Sequence, residues 1–267
     1  MNAIIIGFGE VGRAHFEVLR KTYNGTIFYK DKGQEIYDGE GQVVKEPPTE
    51  FELMLVATQC DPTNMGPFYD MVFDYYRIYK PKIIDILTTT PCGTAELLEE
   101  MYVNCAVCKS TIRGMHGSIK GLASFLLDIP KHIGGPSADI LKDYYEAAGI
   151  PCRVHAKARA PELFHALNNS DYGVAIMKAQ ENYDICRNNA VSYMEYLEYK
   201  KTNNEGFLKA GYPDKLSPIL TPPGNGIFGH CVVYSATTIP QSIRGPLMDM
   251  LAHYNDKHNA PVKSDKN

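Results

Sequence analysis

The chain opens with a short apolar run, a glycine-rich turn and an amphipathic segment, and this order constrains the fold more than any other feature. Residues 3–6 are continuously apolar, which is typical of a parallel strand that is buried on both faces. Gly7, Gly9 and Gly12 follow, and residues 11–21 have an apolar face at helical spacing. The pattern predicts a strand, a tight turn and a helix, in that order.

The same alternation continues along the first half of the chain. Strand-like runs recur at residues 26–29, 53–57, 82–87 and 105–108, with helical segments at 66–79 and 93–103. Alternating strands and helices need crossover connections, which produce a parallel sheet. We therefore predict an α/β fold, with a Rossmann-type parallel sheet domain over residues 1–159.

The remaining residues change character. From 160 to 201, apolar side chains recur every three or four positions, as one long helix or two shorter ones would require. A loop rich in glycine and proline occupies residues 211–231, and a last helix is predicted at about 240–253. We predict a smaller all-helical domain over residues 160–267, with the domain boundary near residue 159.

Composition and charge exclude several classes of protein. The chain has 267 residues, of which 44% are hydrophobic and 22% are charged, as expected for a globular protein with a packed core. The net charge of −4 argues against a basic surface for nucleic acid or anionic lipid. No apolar run approaches the roughly 20 residues of a membrane-spanning helix. We therefore expect a small-molecule substrate, and neither nucleic acid nor a membrane as a partner.

The cysteines point to a reducing compartment. There are seven of them, an odd number, and the start of the chain shows no secretory signal. We interpret them as reduced thiols of a cytoplasmic protein. Cys105 and Cys108 have the spacing of a zinc-binding pair, but no second pair and no paired histidines lie near them. Buried thiols are therefore expected there, and no metal site.

The glycine turn carries the strongest functional signal. A G-x-G-x-x-G sequence between a strand and a helix is the fingerprint of dinucleotide binding. Gly7 permits the tight turn, Gly9 lets the backbone approach the pyrophosphate, and Gly12 allows close packing of helix on strand. The pyrophosphate would lie on the amide groups at the start of the helix. The alternative is a glycine-rich turn that binds nothing.

An acidic residue follows where a ribose contact is expected. Asp31 ends the second strand about 20 residues after Gly12, so its carboxylate would accept hydrogen bonds from the ribose hydroxyls. NAD is therefore the predicted cofactor. Lys30 and Lys32 flank Asp31 and could tolerate a 2′-phosphate, so NADP is the second choice. The predicted cofactor-binding residues are Gly7, Gly9, Glu10, Val11, Gly12, Asp31, Thr58 and Thr89.

Three later stretches carry candidate chemistry. Residues 88–94 leave the fourth strand at its carboxyl end, where ligands bind in such sheets. Glu162, His165 and Asn169 share one helical face through their three- and four-residue spacing. Residues 222–231 form a glycine loop that ends in a histidine and a cysteine, and a cysteine so placed can act as a nucleophile.

Taken in order, these stretches resemble the UDP-glucose/GDP-mannose 6-dehydrogenase family, within the 6-phosphogluconate dehydrogenase-like superfamily. Residues 88–93 resemble its S-T-x-P-x-G turn, and residues 162–169 resemble its E-x-x-K-x-x-x-N helix. Residues 223–231 resemble the P-G-x-G-x-G-G-x-C loop that holds the catalytic cysteine. The resemblance covers about residues 1–235, and the order of the motifs is more specific than any one of them.

The resemblance implies an NAD-dependent oxidation of a sugar primary alcohol, with a nucleotide sugar as substrate and two hydride transfers. Cys231 would capture the intermediate aldehyde as a thiohemiacetal, and water would hydrolyse the thioester formed from it. Asn169 would help to stabilise the oxyanion, and Thr89 would position a water or polar group. Long helices in this group pair two subunits, which implies a homodimer through the helical domain. The predicted substrate-binding residues are Arg113, His116, Glu162, Gly226 and Gly229.

The chain departs from the family pattern at several positions. His165 replaces the lysine. A lysine stays charged at neutral pH, whereas a histidine can accept a proton there and suits general base catalysis better. Ser235 replaces the acid four residues after the cysteine, and residues 110–116 occupy the place of the Pro-Glu-Phe segment. The sequence also ends where the family's second, UDP-binding domain would begin.

Two alternatives follow from these departures. A two-electron hydroxyacid dehydrogenase of the 6-phosphogluconate dehydrogenase type also combines a Rossmann domain with a helical one and needs no cysteine. A non-catalytic NAD(P)-binding protein would tolerate the loss of the lysine and the acid.

Overall fold

The structure is a computed structural model that describes residues 2–33, 35–114, 118–221 and 230–254, apart from the side chains at positions 230, 231, 233 and 234. The chain divides into two compact units, residues 1–165 and 166–267. The division falls a few residues after the predicted boundary at 159. The roles predicted for the two domains, cofactor binding and dimerisation, stay predictions.

The described strands of the first unit form one sheet. Its elements are β1 (Asn2–Ile6), α1 (Glu10–Leu19), β2 (Thr26–Lys30), β3 (Leu53–Val56), α2 (Gly66–Tyr79), β4 (Ile83–Ile86), α3 (Thr94–Met101), β5 (Ala106–Ser110), α4 (Ile119–Asp128), β6 (Lys131–Gly134), α5 (Ala138–Ala147) and β7 (Cys152–His155). The strand order is β2-β1-β3-β4-β5-β6-β7, and neighbouring strands are parallel except for the antiparallel pair β5 and β6. The predicted α/β fold of the Rossmann type is confirmed.

The sheet is buried on both faces, which explains the continuous apolar runs. Ile5 and Leu55 contribute to one hydrophobic core, and Ile4 and Met54 contribute to a second. Successive residues of a strand point to opposite faces, so each apolar run supplies both cores at once.

Two strands and two helices between residues 110 and 159 were not expected from the sequence. β6 reads Lys-His-Ile-Gly, which lacks the apolar pattern of a buried strand. Lys131 is nevertheless only 2% exposed, and its amine donates to the Thr111 carbonyl at 3.0 Å and lies 3.0 Å from His15 Nε2. The polar strand is buried because partners distant in sequence satisfy its lysine.

The described part of the second unit is helical, as predicted. Its elements are α6 (Arg159–Asn188, which begins in the first unit), α7 (Tyr193–Lys209) and α8 (His230–Thr237), then α9 (Pro246–Ala252), with short 3₁₀ turns at Pro213–Lys215 and Gln241–Ile243. The segment predicted as one or two helices is two, separated where Ala190 adopts a left-handed conformation with φ of 54°. α8 begins inside the predicted loop. No helix among the described residues is long and apolar enough to cross a membrane.

Candidate cofactor and catalytic site

The glycine turn has the close contacts that its sequence predicts. Gly7 has φ of +90°, and a Cβ there would lie 2.7 Å from the Ala57 carbonyl oxygen at the end of β3. A Cβ on Gly12 would lie 2.0 Å from the Gly7 carbonyl oxygen, so only glycine lets α1 pack this closely on β1. A Cβ on Gly9 would meet nothing within 4 Å. The fold therefore requires the first and third glycines, whereas the middle one borders open space.

The start of α1 fits the pyrophosphate of a dinucleotide. Gly9 is the N-cap and provides no side-chain hydrogen bond, and Glu10 and Val11 form the first turn. The amide groups of such a turn favour a negatively charged ligand. Beside the turn, Asp31 Oδ1 accepts a hydrogen bond from the Phe8 amide at 3.3 Å. The carboxylate predicted to hold the ribose is thus anchored to the glycine turn itself.

The hydroxyl of Thr58 supports the same fit. Thr58 follows β3 and its carbonyl accepts a hydrogen bond from the Thr88 hydroxyl at 2.8 Å, which joins the carboxyl ends of β3 and β4. The Thr58 hydroxyl oxygen itself is buried and has no hydrogen-bond partner among the described residues. A buried hydroxyl without a partner is costly, and a ligand at this edge of the sheet would supply one.

The structure brings together two side chains that the sequence places 76 positions apart. Thr89 follows β4, and its Oγ1 lies 3.1 Å from Nε2 of His165 in the first turns of α6. Both residues are half-buried. The Thr89 carbonyl accepts a hydrogen bond from the Cys60 thiol at 3.0 Å, which fixes the turn from the other side. The imidazole therefore lies at the carboxyl edge of the sheet, the same edge that carries the glycine turn.

The Glu162 side chain is buried against the start of α3 and is not exposed to solvent. It is 2% exposed, and its carboxylate accepts hydrogen bonds from the amides of Gly93 at 2.5 Å and Ala95 at 3.0 Å. These amides lie at the start of α3, so Glu162 caps that helix from α6. Burial raises the pKa of the carboxyl group, while the two amide hydrogen bonds oppose the shift. In this geometry Glu162 positions the turn, and its predicted contact with a substrate stays a prediction.

Removing this cap tests its structural role. Glu162→Ala is expected to lower the free energy of unfolding by about 1–2 kcal/mol, because the first amides of α3 lose their acceptor. Denaturant unfolding of the purified variant measures the change. Glu100 is exposed on α3, so Glu100→Ala is the matched control. Its free energy of unfolding should stay within about 0.5 kcal/mol of that of the unaltered protein. Equal losses in the two variants would contradict the assignment.

Sequence reasoning missed one residue that supports the turn. Lys109 on β5 is 2% exposed, and its amine donates to the carbonyls of Ile86 at 3.1 Å, Thr88 at 2.7 Å and Ser110 at 3.3 Å. It therefore ties the end of β5 to the turn that presents Thr89. The signal in the sequence was a lysine directly after the apolar run at residues 105–108.

The second unit contains the other predicted catalytic residues. Asn169 Nδ2 donates to the Ser235 hydroxyl at 3.0 Å, which connects α6 with α8. Cys231 lies four residues before Ser235 in α8, but its side chain lies outside the described part of the structure. Gly226, Gly229 and His116 also lie outside the described residues.

Two thiols predicted to be buried are buried. Cys105 and Cys108 are free cysteines with exposed fractions of 7% and 0%. Burial raises the pKa of both thiols to about 12. Such thiols are unreactive at neutral pH.

Comparisons with known proteins add the relationship in fold. No protein-family model matches the chain, and no curated protein matches it in sequence. Among solved structures, a UDP-D-ManNAc dehydrogenase from Pyrococcus horikoshii has a TM-score of 0.69 and 17% identity over 97% of this chain and 69% of its own. A UDP-glucose dehydrogenase from Pyrobaculum islandicum has a TM-score of 0.70 and 15% identity over 96% and 68%.

A third structure is a dehydrogenase of a different kind. The 3-hydroxyisobutyrate dehydrogenase from Mycobacterium tuberculosis has a TM-score of 0.63 and 12% identity, over 96% of this chain and 94% of its own. At these identities the likeness concerns the fold. The predicted resemblance is confirmed at that level: this chain has the Rossmann-type sheet and helical region of the nucleotide-sugar dehydrogenases, an arrangement that a hydroxyacid dehydrogenase shares.

Proposed function

We propose that this protein is an NAD-dependent oxidoreductase that oxidises a CH–OH group of a small molecule. The observation that carries the proposal is the contact between Thr89 and His165 at the sheet edge that holds the glycine turn. The edge is continuous, since Gly7 abuts the end of β3 and Thr58 is bonded to the turn after β4. Ligands of parallel sheets bind at this edge.

In the proposed reaction His165 acts as the general base. Histidine changes charge near neutral pH, so the imidazole can take the proton of a substrate hydroxyl through the Thr89 hydroxyl, which passes its own proton to Nε2 and receives that of the substrate. Thr89 keeps the imidazole at the edge of the sheet, and Lys109 holds the turn that presents Thr89. The nicotinamide, when bound, supplies the acceptor for the hydride that leaves the same carbon.

The residues after β2 favour NAD over NADP. Asp31 is exposed and stands where a ribose would lie, and a carboxylate repels a 2′-phosphate. The Lys30 amine, by contrast, is turned away and donates to the Gly33 carbonyl at 2.8 Å. Burial lowers the pKa of Lys30. Only Lys32 remains exposed beside the carboxylate.

A nucleotide sugar is the preferred substrate class. The order of the motifs at residues 88–93, 162–169 and 223–231 supports this class, and two nucleotide-sugar dehydrogenases share the fold with TM-scores of 0.69 and 0.70. In this proposal Cys231 is the covalent nucleophile and Asn169 assists it. A two-electron oxidation of a hydroxyacid is the second candidate, favoured by the 94% coverage of the hydroxyisobutyrate dehydrogenase.

We also propose a homodimer and a cytoplasmic location. The helical unit presents several large apolar side chains to solvent, among them Met194, Tyr199 and Leu208 with exposed fractions of 60%, 66% and 54%. A second copy would cover such a surface. The free, buried cysteines, such as Cys108, support a reducing compartment.

Cofactor binding and turnover test the proposal separately. Gly9→Ala is expected to leave the thermal stability unchanged, because its Cβ enters open space, and to weaken NAD binding at least about tenfold by blocking the pyrophosphate. His165→Gln is expected to bind NAD normally and to lose about 10²–10⁴-fold in NADH formation. Calorimetric titration with NAD, and NADH absorbance with UDP-sugars, GDP-sugars and hydroxyacids, measure the two effects.

The outcomes distinguish the candidates. Loss of acid formation in Cys231→Ala with a nucleotide sugar supports the covalent four-electron reaction. Unchanged activity of that variant with a hydroxyacid supports the two-electron enzyme. NAD binding without NADH formation from any substrate of the panel indicates a non-catalytic protein, and no NAD binding at all refutes the proposal.

A further inference from the structure

Two histidines form a fixed pair at the β7 edge of the sheet. Nδ1 of His132 on β6 lies 2.8 Å from Nε2 of His155 on β7. The rings are stacked, with centroids 5.1 Å apart and planes 11° from parallel. The ring of Phe164 on α6 meets both edge-on, at 6.2 Å and 5.3 Å. The imidazoles are therefore held in place by each other and by an aromatic ring.

Two arginines lie beside this pair. Arg153 on β7 is the register partner of His132, so the two side chains share a face of the sheet. Arg113 lies just beyond Thr111, whose amide donates to the His132 carbonyl at 2.9 Å and whose hydroxyl accepts from the His132 amide at 3.1 Å. Both arginines are exposed. Both arginines are near enough for their charges to act on His132, one from β7 and one from beyond the end of β5.

The charges around His132 all have the same sign. Burial lowers the pKa of His132, and His155, Arg113 and Arg153 lower it further. Neither arginine is paired with a carboxylate within the described ranges. Like charges held together without a counter-charge cost energy, and a bound anion would relieve that cost.

We propose that Arg113, His132, Arg153 and His155, here called the basic cluster, bind an oxyanion group of a small molecule, a phosphate or a carboxylate. A guanidinium group can bind either a phosphate or a carboxylate through two parallel N–H donors, and a protonated imidazole adds a further charge-assisted hydrogen bond. Phe164 holds the rings in position for this contact. The site does not depend on the proposed redox reaction.

Binding at this site takes up a proton. In the free protein the pKa of His132 is lowered, so its imidazole is largely neutral at neutral pH. A bound anion favours the charged imidazole and raises that pKa. When the pH lies between the pKa of His132 in the free protein and its pKa in the complex, binding of the anion is therefore accompanied by uptake of a proton. The affinity is highest below the free pKa and falls, by at most about tenfold per pH unit for one proton, as the pH rises through the bound pKa.

Calorimetric titration of the full chain with inorganic phosphate and with malonate tests the proposal. We expect one of these anions to bind, with an affinity that falls as the pH rises through the pKa of His132, once it is expressed per concentration of the fully ionised anion. We also expect an apparent enthalpy that differs between buffers of different ionisation enthalpy, which reports the proton taken up. Binding of phosphate alone identifies a phosphate site, and binding of malonate alone identifies a carboxylate site.

Variants separate the cluster from a general surface charge. Arg153→Gln and His155→Gln are each expected to weaken binding about tenfold or more through loss of a charge-assisted contact. Arg77→Gln, on α2 over the ring of Phe73, removes a comparable charge and should leave the affinity unchanged. Arg153 is exposed, so its variant is expected to fold even if a histidine variant does not.

Three results would overturn the proposal. The first is no binding of either anion at millimolar concentration. The second is binding without proton uptake. The third is an affinity that Arg153→Gln and Arg77→Gln reduce equally.

Discussion

Replacing Asp85 with alanine is expected to lower the free energy of unfolding by about 3–5 kcal/mol, because it removes one partner of a buried charged network. Asp85 lies in β4 and is fully buried. Its Oδ2 accepts hydrogen bonds from the Ser110 hydroxyl at 2.6 Å and from the Tyr145 hydroxyl at 2.5 Å. Without the carboxylate, both hydroxyl groups lose their acceptor in a region closed to water.

The same substitution also affects a buried cation. Nζ of Lys131 lies 4.9 Å from the centre of the Tyr145 ring. Both Lys131 and the neighbouring His15 are buried. Burial lowers the pKa of Lys131 to about 8, and the charge of Asp85 opposes that shift. In Asp85→Ala the ammonium group loses this support, so its pKa falls further and its charged form becomes costlier.

Urea unfolding followed by circular dichroism measures the loss. Asp128→Ala is the matched control, because Asp128 is exposed and, within the described ranges, its side chain accepts only from the Ser124 hydroxyl, at 3.2 Å. The control should change the free energy of unfolding by no more than about 0.5 kcal/mol. A loss in Asp85→Ala as small as that of the control would show that the network contributes no net stability.

Gly12→Ala is expected to lower the free energy of unfolding by about 1–3 kcal/mol and to weaken NAD binding at least about tenfold. The added Cβ would lie 2.0 Å from the Gly7 carbonyl oxygen and 3.2 Å from Cγ2 of Ile5. Both atoms belong to β1 or the turn after it, so α1 must move away from the strand. That movement displaces the amides at the start of α1 from the position that the pyrophosphate needs.

The same substitution elsewhere provides a control of opposite sign. Gly206 is exposed inside α7, and a Cβ there would meet nothing within 4 Å. Gly206→Ala is therefore expected to raise the free energy of unfolding by about 0.5–1 kcal/mol, the usual gain of alanine over glycine in a helix. If Gly12→Ala were as stable as the unaltered protein and bound NAD equally well, the close contact of α1 with β1 would not matter.

Local features of the sequence were sufficient for the central part of the fold. The apolar runs of β1 and β3, and that of β4 apart from Asp85, indicate strands because each such strand is buried on both faces. The spacing of Gly7, Gly9 and Gly12 likewise predicts a turn whose requirement is steric and lies within a few residues.

The candidate site was predictable only in part. The turn at residues 88–94 and the helix at residues 162–169 each carry a recognisable motif, and the contact between Thr89 and His165 joins them. Glu162 was selected for the right helix face, yet the structure uses it as a cap for α3. The motif identifies the position, but only the packing around Gly93 shows that both carboxylate oxygens have backbone partners.

By itself, the sequence determined the alternation of strands and helices, the glycine turn and the helical second half, because these depend on periodicity and sterics among near neighbours. Only the tertiary structure determined that β6 and β7 join the sheet and that the amines of Lys109 and Lys131 are buried. It alone also determined the contact between His132 and His155. Each of these places polar groups inside a sheet or at its edge. Such groups are stable there only when partners from distant parts of the chain satisfy their hydrogen bonds, and a local pattern carries no information about those partners.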